Sequence, residues 1–238
     1  MKFLRIVGKA AVAFYDELFF HFLGGLIHLV SWLLIIPGPF ALAGIYAIGQ
    51  RAVRGKGVNW RLLWDNVKEF GLRSLLLFLI SIFGLALVAA NLYFYNTPEI
   101  SPFPPGVAAW TTPLFILVGV IWLAVVFYAQ SFLMELEEPK LKLVYRNSLF
   151  LAILKPFQTL GFLVVAALAT GISVALPVLV VVLPGFLSTL SLTAVRTLIT
   201  ELNEQMQRIA EPDEGDGDDA QGHVVDEDDE GWPSIDPA

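Results

Sequence analysis

The chain of 238 residues contains no cysteine, so a disulfide, a thiolate metal site and a cysteine nucleophile are all excluded. Charge is also scarce, because 16% of the residues are charged whereas 56% are hydrophobic. A soluble domain usually carries about 25% charged residues. The composition therefore predicts an integral membrane protein of the all-α class, a polytopic transmembrane helical bundle.

The charges that are present divide the chain into two parts. Twelve of the 22 acidic residues lie in residues 211–238, which contain no lysine or arginine, and this leaves ten acidic against 15 basic residues in residues 1–210. A segment with so much charge and so little apolar surface cannot form a core. We therefore expect a transmembrane helical domain over 1–210 and a disordered acidic C-terminal tail over 211–238.

Apolar runs separated by proline-rich or charged breaks predict about six membrane spans. The first run, Leu18–Ile36, would be roughly 28 Å long as a helix, close to the hydrocarbon thickness of a bilayer. It is also longer than the roughly 7–15 residues of a signal-peptide apolar region. The predicted spans cover residues 18–36, 39–53, 74–95, 107–134, 157–175 and 178–199.

Two amphipathic segments predict helices that lie at the membrane surface. Residues 1–16 place apolar side chains at near-helical spacing against basic ones, which indicates a short interfacial helix. In residues 59–70, Trp60 and Trp64 share one face of a helix for which Asn59 is a good N-cap. We expect this second helix to lie on the cytoplasmic surface, with both tryptophans as membrane-interface anchors.

The basic residues predict the orientation. The connections at 37–39, at 96–106 and near Pro177 contain no lysine or arginine, so with six spans all 15 basic residues fall on one side. The positive-inside rule then predicts a multi-pass protein with both termini in the cytoplasm. Arg51 and Arg54 follow the short second span, and we expect them to reach the interface by snorkelling and to act as further anchors.

Two segments resemble the YesL-like family of bacterial integral membrane proteins, a domain-of-unknown-function family. They are GPFALAGIY at 38–46 and RLLWDNVKEF at 61–70. The residues that match the family's pattern are Gly38, Pro39, Ala41, Ala43 and Tyr46, together with the segment 63–70. The resemblance implies a bacterial plasma membrane and, because family members are often encoded beside carbohydrate importers, a role beside such a system. It implies no catalytic residue.

Few residues in the predicted spans could carry chemistry. His28 is the only ionisable residue that we place near the bilayer midplane, and such residues are functional hypotheses by default. The alternative is a neutral histidine that donates one hydrogen bond to a facing helix. A proline-glycine-proline break follows it, and broken helices often mark transporter sites. The candidate functional residues are His28, Pro37, Gly38, Pro39 and Tyr46.

The motifs of common enzyme classes do not occur. There is no His-Glu-x-x-His, no Gly-x-Ser-x-Gly and no pair of membrane-embedded aspartates, so we expect no enzyme and no cofactor. The basic residues form a fringe along the membrane, which argues against nucleic-acid binding. We expect a non-enzymatic accessory or regulatory protein whose partners are the lipid bilayer and another membrane protein, such as a transporter subunit. The alternative is a small-solute transporter with a site near His28 and the break at 37–39.

Overall fold

A computed structural model describes residues 2–32 and 37–210, and every regular element in these ranges is helical. The all-α class predicted from composition is therefore confirmed for this part of the chain. The tail predicted over 211–238 and residues 33–36 of the first predicted span lie outside the described residues. The helices are α1 (Lys2–Asp16), α2 (Leu18–Trp32), α3 (Pro37–Val53), α4 (Trp60–Asn96), α5 (Pro105–Glu135), α6 (Leu141–Leu154), α7 (Pro156–Ala175) and α8 (Leu183–Ala210), with a 3-10 turn at Pro177–Val180 before α8.

Three of these helices are long and apolar enough to cross a membrane. They are α4 with 37 residues, α5 with 30 residues from Gly106 onward, and α7 with 20 residues. Helices α1 and α2 meet at 82° and would add a fourth crossing if the bent pair counts as one span. The described residues thus support a membrane protein with three or four candidate spans, and the count of six stays a prediction.

Helix α3 occupies the centre of the bundle. It contacts α1, α2, α4, α5 and α8, as expected for a helix that is apolar on every side. Small residues allow the close approach, because a Cβ atom on Gly44 would lie 2.9 Å from Leu63 of α4 and one on Gly49 would lie 2.6 Å from Ser188 of α8. The side chains of α3 that are at most 1% exposed are Ala43, Ile45, Ala47 and Ile48.

The proline-glycine-proline segment forms the first turn of α3. Proline suits this position because the first N–H groups of a helix have no partner within the helix. The carbonyl group of Pro39 accepts a hydrogen bond from the Ser74 hydroxyl of α4 at 2.9 Å. Residues 37–39 therefore start the central helix and fasten it to α4.

The surface helix predicted over 59–70 and the span predicted over 74–95 are parts of one helix, α4. Asn59 caps it as expected, since its side chain accepts a hydrogen bond from the Leu62 N–H at 2.8 Å. No proline interrupts residues 70–74, and contacts with α3 support the junction, where Gly71 packs against the ring of Phe40. The tryptophan-bearing turns consequently continue into the apolar half without a break.

Candidate functional site

His28 lies on the buried side of α2 and is 8% exposed. Its Nε2 atom accepts a hydrogen bond from the indole N–H of Trp32, one turn later, at 2.9 Å. The Trp32 ring lies against the start of α3, where a Cβ atom on Gly38 would come within 2.8 Å of it. Only glycine leaves room for this approach. The structure thus joins two of the predicted candidates, His28 and Gly38, through a tryptophan that the sequence reasoning did not select.

Pro39 belongs to a buried polar chain that crosses three helices. The Ser74 hydroxyl, which donates to the Pro39 carbonyl, itself accepts a hydrogen bond from Gln130 Nε2 of α5 at 2.9 Å. Ser74 is fully buried and Gln130 is 7% exposed. Such a chain fixes the positions of α3, α4 and α5 relative to one another, because buried polar groups are costly unless they are paired. The side chain of Pro37 lies outside the described part of the structure.

Tyr46 lies in a different cluster from His28. It follows Gly38 by eight residues on α3, which is about 12 Å along the helix axis. Its hydroxyl group lies near that of Ser191 of α8, and Ser191 shares a 2.6 Å hydrogen bond with Ser131 of α5. Tyr46 therefore joins α3 to α5 and α8 and is not part of the region around His28.

Sequence reasoning missed one buried charge among the described residues, Glu135. The Glu135 side chain, at the end of α5, is only 3% exposed, and its carboxylate lies 3.0 Å from Nη2 of Arg54 and 3.4 Å from Nε of Arg196. Gln50 Nε2 also donates to this carboxylate, at 3.3 Å. Glu135 is the first acidic residue after a long apolar run, so its position along the chain suggested a solvated connection. It instead ties the ends of α3 and α5 to α8.

The predicted interface anchors lie at the outside of the bundle. On α4, Trp60 is 41% and Trp64 is 53% exposed. Arg51 is partly exposed, and the Arg54 side chain is 31% exposed although it also pairs with Glu135. Exposure of this kind suits an interfacial role, which stays a prediction.

A second histidine of α2 is buried more completely than His28. His21 is fully buried, its ring lies 5.1 Å from that of Phe14, and neither ring nitrogen has a hydrogen-bond partner among the described residues. Gly185, at the start of α8, packs directly on it. One turn after His21, Gly25 packs against the carbonyl group of Val181, just before α8. This side of α2 therefore positions the start of α8.

A cavity of about 160 Å³ lies beside the His28 region, between α2, α3 and α4. Two of its lining residues, Ile27 and Phe40, neighbour His28 and Pro39 in the sequence. Most of its lining is apolar. The lining residues are Gly24, Ile27, Ser31, Phe40, Ala41, Leu63, Trp64 and Val67.

The described residues contain no group of three histidine, aspartate or glutamate side chains that could hold a metal ion. The described residues offer a packed helical core, a buried charge cluster around Glu135 and a small apolar cavity. No protein-family model, curated protein or solved structure matches the chain. The resemblance to the YesL-like family accordingly stays a prediction.

Proposed function

We propose that this chain is a non-enzymatic accessory or regulatory component of a bacterial membrane system such as a carbohydrate importer. It would act by contact with another membrane protein in the plasma membrane. The apolar surface of the described helices supports this proposal, and several buried polar groups, such as Ser74, Gln130 and Ser131, hydrogen-bond between helices.

The proposal includes six membrane crossings and cytoplasmic termini. Its basis is the distribution of the 15 basic residues, all of which fall on one side of the predicted spans. The ion pairs of Glu135 support this arrangement, because Arg54 and Glu135 follow two different predicted spans and contact each other at 3.0 Å. Both ends must therefore lie on the same side of the bundle.

Most of the apolar surface of the candidate spans is not covered by the chain itself. Of the most apolar 18 residues, 11% are buried in α4, 22% in α5 and 17% in α7. Large side chains are exposed there, including Phe83 at 64% and Trp110 at 82%. Surfaces of this kind are covered by lipid or by the helices of another membrane protein.

One exposed face, on α7, carries the proposal of a protein partner. Ala167, Thr170 and Gly171 are exposed there, and a Cβ atom on Gly171 would meet nothing within 4 Å. Small residues on a membrane helix allow the backbone of a second helix to approach closely. Lipid does not require such a face, whereas a partner helix uses it.

The test is reconstitution with an importer. The chain and a carbohydrate importer from the same cell are placed in liposomes, and copurification and sugar uptake are measured with and without the chain. Gly171→Leu, which fills the open face, should abolish both effects. Gly106→Leu is the matched control, because that glycine is also open but lies on α5. No copurification and no change in uptake with the unaltered chain would contradict the proposal.

The alternative, a small-solute transporter, is favoured by one observation. Ile27 and Phe40 line the 160 Å³ cavity, and they are one residue from His28 and two residues from Gly38 in the sequence. Liposomes that contain the chain alone separate the two functions. Solute flux that is lost in His28→Ala would favour transport, whereas flux that appears only with an importer present would favour the accessory role.

A further inference from the structure

The cavity is the middle of a groove between α2 and α4. At one end the two helices meet through Phe20 and Trp60, whose ring centroids are 6.3 Å apart. At the other end they meet through Trp32 and Phe78, at 5.4 Å. Every lining residue of α2 and α4 falls between these two aromatic contacts in the sequence. The two aromatic contacts therefore bracket the groove along both helices.

The walls of the groove suit a hydrocarbon chain. Phe40 and Ala41 of α3 form part of its lining together with Gly24 of α2, where a Cβ atom would lie 2.9 Å from Ile48 of α3. Ser31 is the polar side chain of this lining, and its hydroxyl group donates to the Ile27 carbonyl at 2.7 Å. The groove thus offers apolar contact and little to hydrogen-bond a sugar or an ion. A ligand that fills it must be apolar where it enters.

The rim of the groove carries a net positive charge. Trp64 lies at the mouth, 53% exposed. Arg61 and Lys68 lie three residues before and four residues after it, so they are its neighbours on the helix surface, and both are exposed. Asp65 is the acidic residue of this turn, while Glu69 lies farther round the helix. Because two cations outnumber one carboxylate here, the rim favours an anionic group next to the apolar groove.

We propose that this groove binds an acyl chain of an anionic membrane phospholipid. The phosphate group lies against Arg61 and Lys68, and Trp64 lies between the headgroup and the chain, a position in which the amphipathic indole ring is favourable. The cavity between α2, α3 and α4 is then a lipid site and not a path for a polar solute. This inference is independent of the proposed accessory function.

Photolabelling in liposomes tests the site. The probe is phosphatidylglycerol with a diazirine on one acyl chain, and peptide mass spectrometry locates the adducts after irradiation. We expect adducts to concentrate on Ile27, Phe40 and Val67, and to be several-fold fewer with phosphatidylcholine that carries the same chain. Ser31→Phe fills the groove and should remove these adducts. Thr170→Phe is the control and should keep the adducts. The Thr170 hydroxyl, like that of Ser31, donates to the carbonyl group four residues earlier, but Thr170 is exposed on α7 and lies outside the groove.

The headgroup is tested separately. Replacing both Arg61 and Lys68 with glutamine should lower labelling by phosphatidylglycerol to the level of phosphatidylcholine, whereas Lys56→Gln, an exposed cation elsewhere, should not. Equal labelling by the two lipids would overturn the anionic headgroup. Groove labelling no stronger than at exposed Leu114 of α5 would overturn the site itself. Should Ser31→Phe fail to fold, unlabelled phosphatidylglycerol is added to the unaltered chain as a competitor. Loss of groove labelling then supports the site, and unchanged labelling overturns it.

Discussion

Removing the buried carboxylate of Glu135 should destabilise the bundle more than removing any exposed charge. Glu135→Gln keeps the size of the side chain but takes the negative charge away from Arg54 and Arg196, to which it lies at 3.0 and 3.4 Å. Breaking a buried ion pair costs about 3–5 kcal/mol. Because the Arg54 side chain is 31% exposed, solvent screens part of its interaction, and we expect about 2–4 kcal/mol.

The measurement is thermal unfolding of the purified chain in one detergent, followed by circular dichroism. At about 2–4 °C per kcal/mol for a chain of this size, Tm should fall by about 4–16 °C. Glu138→Gln is the matched control, because Glu138 pairs with Lys140 at 2.9 Å while both side chains are more than three quarters exposed, and it should leave Tm unchanged. Equal Tm values for the two variants would refute the reasoning. Arg54→Gln combined with Glu135→Gln should cost less than the sum of the single changes, because the two groups are coupled.

Three further predictions follow from the topology, the tail and the helix contacts. Single cysteines at Gly57 and Glu99 are treated with an impermeant maleimide before and after the cells are permeabilised. The cysteine at Glu99 should be labelled on intact cells and that at Gly57 only after permeabilisation, and labelling of Gly57→Cys on intact cells would contradict the six-span topology. A chain that ends at Ala210 should insert with the same topology and a Tm close to that of the full chain, because the acidic tail is repelled by an anionic leaflet, and a large fall in Tm would show that the tail is structural. Gly25→Ala should lower Tm, because the added Cβ atom meets a backbone carbonyl group. Gly171→Ala, in open space on α7, should keep Tm or slightly raise it. Equal effects of the two changes would contradict the tight packing of α2.

The helical class and most helix positions were predictable because they depend on local patterns. Apolar runs and prolines placed α5, α7 and the start of α3 within a few residues of their observed positions. Asn59 caps α4 as expected because capping depends on one side chain and the next turn. The pattern failed at the junction of 59–70 and 74–95, where contacts between α4 and α3 keep the helix continuous.

The site was less predictable because it depends on contacts between distant residues. His28 and Gly38 are ten residues apart. The apolar pattern indicated that their two helices form a hairpin, and this hairpin lets Trp32 contact both residues. Glu135 and Arg54 are 81 residues apart, and nothing in the local sequence of either one identifies the other. Composition alone therefore could not distinguish a buried carboxylate from a solvated one.

The central position of α3 has a consequence for biogenesis. The Gly49 side of α3 is covered by Ser188 and Leu192 of α8, which emerges from the ribosome last. At about 5–20 residues per second, the roughly 140 residues between these two positions take about 7–30 s to synthesise. During that interval α3 of the nascent chain lacks the helix that covers its Gly49 side. We therefore expect this apolar face of α3 to be covered by lipid or by another protein until α8 is inserted.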